Sequence, residues 1–136
     1  MIVADTCLIV HLFNETLLTD VAQKIQKKDA SWILPLLWQE EYANVISKLA
    51  RKESRDVHDV IKHFSYVLDE LRGSEIDVDS RKALKISIEY RISVYNAHFV
   101  ELALDFGVTL VTEDKEVLES CRAIARNMHD FLKKES

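Results

Sequence analysis

Asp5 and Asp114 are the residues of this chain whose placement best suits chemistry. Asp5 directly follows a short apolar run, IVA at 2–4, and Asp114 follows the β-branched run VTLVT at 108–112, with Thr112 at its end. If both runs are parallel strands, both acids lie beyond the carboxyl ends of strands, where open parallel sheets bind their ligands. Taken singly, Asp114 reads equally well as the first residue of a helix, facing the positive end of its dipole. Carboxylates gathered in one place repel and persist there only when protonated or neutralised by a cation. Hard oxygen ligands suit Mg²⁺ or Mn²⁺. Such an ion activates water and stabilises charge on a phosphodiester. Two acids leave a metal under-specified, so further ligands have to come from elsewhere in the chain.

The elements that must position these acids alternate between strand and helix. After IVA, residues 15–28 read as a helix with Leu18, Val21, Ala22 and Ile25 on one face. WIL at 32–34 is a second strand, closed by Pro35. Apolar positions then recur at helical spacing through 36–51 and again through 55–71, where Gly73 reads as the stop. EIDVD at 75–79 alternates as a short edge strand would, 80–91 and 93–106 read as helices, and Gly107 ends the second. In the latter, Tyr95, Phe99, Leu102 and Ala103 suit a buried face. A short helix at 114–123, a weak strand near 124–128 and a terminal helical turn complete the pass. Strands alternating with helices imply an α/β fold with a mostly parallel central sheet of about five strands.

The bulk properties agree with one such unit over residues 1–136. Apolar residues make up 48% of the chain, enough for a sizeable core, and charged residues 30%, which argues against disorder. Two glycines and one proline imply long helices and short connections. The net charge of -5 argues against binding nucleic acid through bulk positive charge and leaves room for a local basic groove. Cys7 and Cys121 are two separate thiols, neither a disulfide framework nor a zinc site, and read as reduced and mostly buried. There is no signal-peptide pattern and no apolar run of membrane-spanning length, so the expectation is a cytoplasmic protein without a membrane partner.

Four segments in order resemble the PIN domain, the ribonuclease fold used by VapC-type toxins. MIVADTCLIV resembles the family's opening strand and its Asp-Thr-Ser or Asp-Thr-Asn ending, with Cys7 in the third place. PLLWQEEYANVI resembles a Pro-Leu segment leading to a Glu followed three residues later by Asn, which matches Glu41 with Asn44. SVYNAHFVELALDFGVTLVTEDKEVL resembles the third and fourth blocks, a Tyr-Asp-Ala helix start and a Leu-Val-Thr-x-Asp strand end. The resemblance implies a three-layer α/β/α fold. It also implies an Mg²⁺- or Mn²⁺-dependent endoribonuclease, with Asp5 and Asp114 as metal ligands and Glu41 on the metal or its water. Thr6 and Thr112 would support the site. An RNA substrate, a small antitoxin that blocks the site and a homodimer are implied as well, with helices 36–51 and 55–71 as the surfaces for partners.

The family's third acid is replaced by Asn96 in this chain. Asparagine offers a neutral oxygen and an NH₂ that cannot ligate a cation, so metal binding should weaken while the fold is kept. Glu101, about 140° round the same helix, points elsewhere. Glu116, two residues after Asp114, is the acid placed to compensate, while Glu113 and Glu40 should face away. A PIN fold that binds RNA or a protein without cutting is the alternative reading, and Asn96 is its support. A haloacid-dehalogenase-like phosphatase needs a second acid two residues after the first, and DTC has none.

Overall fold

The structure, a computed structural model, describes residues 1–133; the last residues of the predicted unit, 134–136, lie outside it. Among the described residues five strands form one sheet: β1 (Ile2–Ala4), β2 (Trp32–Pro35), β3 (Glu75–Ile76), β4 (Thr109–Val111) and β5 (Ala125–Arg126). Their order is β3-β2-β1-β4-β5, and every pairing is parallel. β1 is central, with Ile2 beside both Trp32 and Thr109. Ile2, Val3 and Ala4 are buried, as are Ile33, Leu34, Leu110 and Val111. Burial on both faces explains why these strands are short unbroken apolar runs rather than alternating ones.

The helices α1 (Thr6–Phe13), α2 (Thr19–Lys28), α3 (Trp38–Glu53), α4 (Val57–Leu71), α5 (Ser80–Tyr90), α6 (Val94–Phe106), α7 (Lys115–Ser120) and α8 (Met128–Lys133) flank the sheet on both sides. This is the expected three-layer α/β/α architecture. α6 lies against β1, β2 and β4 and carries α5, while α1 packs on β1, α2 and α3, and α2 meets α8. α6 buries Ala97, Phe99, Val100, Leu102 and Ala103. It ends at Gly107, whose φ of 65° is the left-handed geometry that favours glycine.

Three expectations need correction. α1 is an additional helix that starts directly after Asp5, where no element was assigned. Tyr95 is 63% exposed although Phe99, one turn further on, is buried; the apolar stripe of α6 runs out of the body in its first turn. α4 ends at Leu71 and passes into a 3₁₀ turn over Arg72–Ser74, so Gly73 lies within that turn, without the left-handed backbone of a helix stop. Both tryptophans are core residues, and the Trp38 indole N–H donates to Glu75 at 2.7 Å.

Candidate functional site

The strand order reverses direction at β1. The chain steps outward from β1 to β2 and β3, then returns to place β4 on the other side of β1. That switch opens a crevice beyond the carboxyl ends of β1 and β4. Asp5 leaves β1 into it, and Thr112 and Asp114 leave β4. α3 brings Glu41 in its first turn, and α6 brings Asn96. A cavity of about 440 Å³ is lined by Asp5, Thr6, Glu41, Asn96 and Asp114 together.

The two aspartates are fixed by the helices they cap. Asp5 caps α1, with Oδ1 accepting from Thr6 N–H at 2.8 Å. Asp114 caps α7, with Oδ1 accepting from Val117 N–H at 3.1 Å. The capping role considered for Asp114 is thus real, and it leaves Oδ2 with no hydrogen bond among the described residues. The buried Thr112 ties the two strand ends together. Its hydroxyl donates to Asp5 Oδ2 and accepts from Asp114 N–H at 3.0 Å. Thr6, also buried, donates its hydroxyl to Glu41 Oε1 at 2.6 Å, joining α1 to α3. Both threonines therefore hold carboxylates in place.

The electrostatics are those of crowded acids. Burial pushes the Asp5 carboxyl above the ordinary carboxylate range, against hydrogen bonds from Thr112 and Thr6, and the nearby charge of Asp114 adds to the rise. Glu41 is raised too, first by burial and then by the charges of Asp5 and Asp114, with the Thr6 hydrogen bond opposing. A cation in the cavity would relieve both. The donor set suits a hard divalent ion: Asp5, Glu41 and Asp114, which offer carboxylate oxygens, and Asn96, which offers an amide oxygen, line one space. Among the described residues no three His, Cys, Asp or Glu side chains form a ready-made cage. Binding would have to draw the acids together.

These shifts imply a pH dependence. A carboxyl raised in the folded state is easier to keep protonated there than in the unfolded chain. The stability this gives is full below the unfolded value and is lost as the pH rises through the folded one. Without metal, the Tm of an Asp5→Asn, Glu41→Gln double variant should therefore gain on the wild type as the pH rises from the acid range to neutrality. A Tm difference that does not change with pH would show that the two carboxyls carry no burial penalty.

The remaining expected residues fall in different places. Glu116 lies outside the cavity lining. Its Oε1 accepts from Ser93 N–H at 3.1 Å and from Asn96 Nδ2 at 3.3 Å. Glu113 turns away, accepting from Met128 N–H at 2.7 Å, and Glu40 lines a neighbouring cleft with His98. Five further residues line the cavity without having been singled out as site residues: Cys7, His11 and Asn44, with the apolar Val10 and Val45. Asn44 could have been, because it follows Glu41 by one helical turn. His11 and Cys7 depended on α1, which went unassigned. Burial, with the charge of Asp5 beside it, pushes the Cys7 thiol far above its ordinary value, so it is no reactive nucleophile.

Residues 2–122 match the PIN domain family. Among solved structures, PAE2754 from Pyrobaculum aerophilum is similar, at a TM-score of 0.73 and 22% identity over 98% of this chain and 94% of that one. A toxin-antitoxin complex from Klebsiella pneumoniae contains a chain similar at a TM-score of 0.68 and 13% identity, over 94% of this chain and 98% of that one. At these identities the likeness is one of fold. No curated protein matches the chain.

Proposed function

This chain belongs to the PIN domain family, whose members are generally nucleases, and we propose that it is a metal-dependent endoribonuclease of the VapC toxin type. The observation that carries the proposal is the single cavity at the β1–β4 switch lined by Asp5, Glu41, Asn96 and Asp114. A bound Mg²⁺ or Mn²⁺ would supply charge stabilisation at the scissile phosphodiester and an activated water. Asp5 and Asp114 would hold it, with Asn96 as a neutral oxygen ligand. Glu41, one oxygen anchored by Thr6 and the other without a hydrogen bond among the described residues, would accept the proton of the attacking water or complete the ligand set. Thr6 and Thr112 keep these oxygens from drifting apart under mutual repulsion.

An antitoxin and a second copy of the chain are the partners that this reading brings with it. An apolar groove of about 400 Å³ between α3 and α4, lined by Ile46, Ala50, Val60, Ile61 and Phe64, supports a partner surface there. Among the described residues no helix is long and apolar enough to cross a membrane, and RNA in the cytoplasm is the proposed substrate. The second reading, a PIN fold that binds RNA or protein without cutting, rests on Asn96 standing where the family's third acid stands.

Incubation of the purified chain with total RNA tests the proposal. Cleavage is expected with Mn²⁺ or Mg²⁺ and is expected to stop with a chelator. Intact RNA under every metal condition, from a chain that still binds RNA, would favour the second reading.

A further inference from the structure

The Asn96 amide stands between two sets of acceptors. On one side is Glu116, whose Oε1 takes a hydrogen bond from Nδ2 at 3.3 Å and another from Ser93 N–H at 3.1 Å. Ser93 Oγ accepts in turn from Asn96 N–H at 3.0 Å, which closes a ring of three hydrogen bonds at the start of α6. On the other side is the cavity, with Asp5, Glu41 and Asp114. An ionised carboxylate only accepts, so only the NH₂ end of the amide can face Glu116. The two ends of a planar amide point apart, and Oδ1 is thereby turned from Glu116. Without that hold, the cavity acids would attract the NH₂, and an amide turned inward presents a cation with a group that cannot ligate it.

We propose that Glu116 is a positioning residue: by holding Asn96 Nδ2 it keeps Asn96 Oδ1 available as an oxygen ligand of the acidic cavity. This rests on the metal-nuclease reading above. It makes Asn96 and Glu116 a working pair, in which the acid outside the cavity sets the orientation of the neutral ligand within it.

The test measures Mn²⁺ binding to the full chain by electron paramagnetic resonance in four forms: wild type, Glu116→Gln, Asn96→Asp and the double variant. Glutamine keeps the length of Glu116 and offers both a donor and an acceptor, so it satisfies either orientation of the amide. Glu116→Gln should weaken Mn²⁺ binding by about tenfold, the scale typical of groups that orient metal ligands. In the Asn96→Asp background the same change should leave affinity unchanged or tighter, because the two oxygens of an aspartate are equivalent. Equal weakening in both backgrounds would make Glu116 a ligand or a remote charge and overturn the proposal. Unchanged affinity in Glu116→Gln would overturn the proposal alone, leaving the nuclease reading in place. No Mn²⁺ binding by the wild type would overturn both. The metal-free chain gives an independent readout: the ¹⁵N side-chain NH₂ signals of Asn96 should shift in Glu116→Gln, and unshifted signals would also overturn the proposal.

Discussion

Asp5→Asn is expected to reduce metal-dependent RNA cleavage by about a thousandfold or more while leaving the chain folded. Two duties of this one side chain come apart in the variant. As the N-cap of α1, Asp5 needs one oxygen facing Thr6 N–H, and asparagine caps a helix as well as aspartate does. As the metal ligand proposed above it would need its charge, which asparagine lacks. Metal-assisted charge stabilisation is worth several kcal/mol, and each 1.4 kcal/mol or so is a tenfold change in rate, so its loss is on the order of a thousandfold. The Thr112 hydroxyl loses its charged acceptor, a cost offset by removal of a carboxylate that burial and Asp114 already disfavour. The metal-free Tm at neutral pH should therefore fall little or rise. Single-turnover cleavage and a thermal melt on the same preparation decide the matter. Unchanged cleavage by a folded Asp5→Asn chain would remove Asp5 from the chemistry and leave it a helix cap.

Asn96→Asp is expected to act in the opposite direction, tightening Mn²⁺ binding and raising cleavage by about 10- to 100-fold. A unit charge about 4 Å from another is worth about 4 kcal/mol at an effective dielectric near 20. Desolvation of the new carboxylate takes back much of that. So does its repulsion from Glu116, because the present hydrogen bond of 3.3 Å from Asn96 Nδ2 becomes a contact between two acceptors. The same repulsion should lower the Tm of the metal-free variant and make its stabilisation by Mn²⁺ larger than that of the wild type. Titration calorimetry, melts with and without metal, and cleavage rates measure the three effects. If Asn96→Asp binds metal no better than the wild type, position 96 does not face the ion. If it alone cuts RNA, the wild type is a binding protein on a nuclease scaffold.

Much of this site was legible along the chain because the chemistry follows directly from strand ends. The runs before Asp5 and Asp114 are apolar and β-branched since strands buried on both faces must be, and acids at or just past the end of such a run are conspicuous. Glu41 and Asn96 were legible only through their resemblance to a family pattern; their spacing alone does not single them out. Helix positions were readable where apolar residues recur at helical spacing, as in α3 and α6.

What the sequence by itself determined was local: where most of the strands and helices lie, that two aspartates stand at or just past strand ends, and that position 96 carries an asparagine. Only the tertiary structure decided what each side chain faces. Thr6 meets Glu41 across 35 residues and Thr112 meets Asp5 across 107, and no local preference encodes either pairing. α1 went unseen because TCLIVHLF continues an apolar run, and only the Asp5 cap marks where strand becomes helix. Tyr95 came out exposed because periodicity gives the direction of a side chain and says nothing of whether a neighbour lies there. The contact between Glu116 and Asn96 was hidden for the same reason. It exists because α6, which packs on β1, β2 and β4, begins beside α7, which follows β4, and neither helix carries that placement in its own residues.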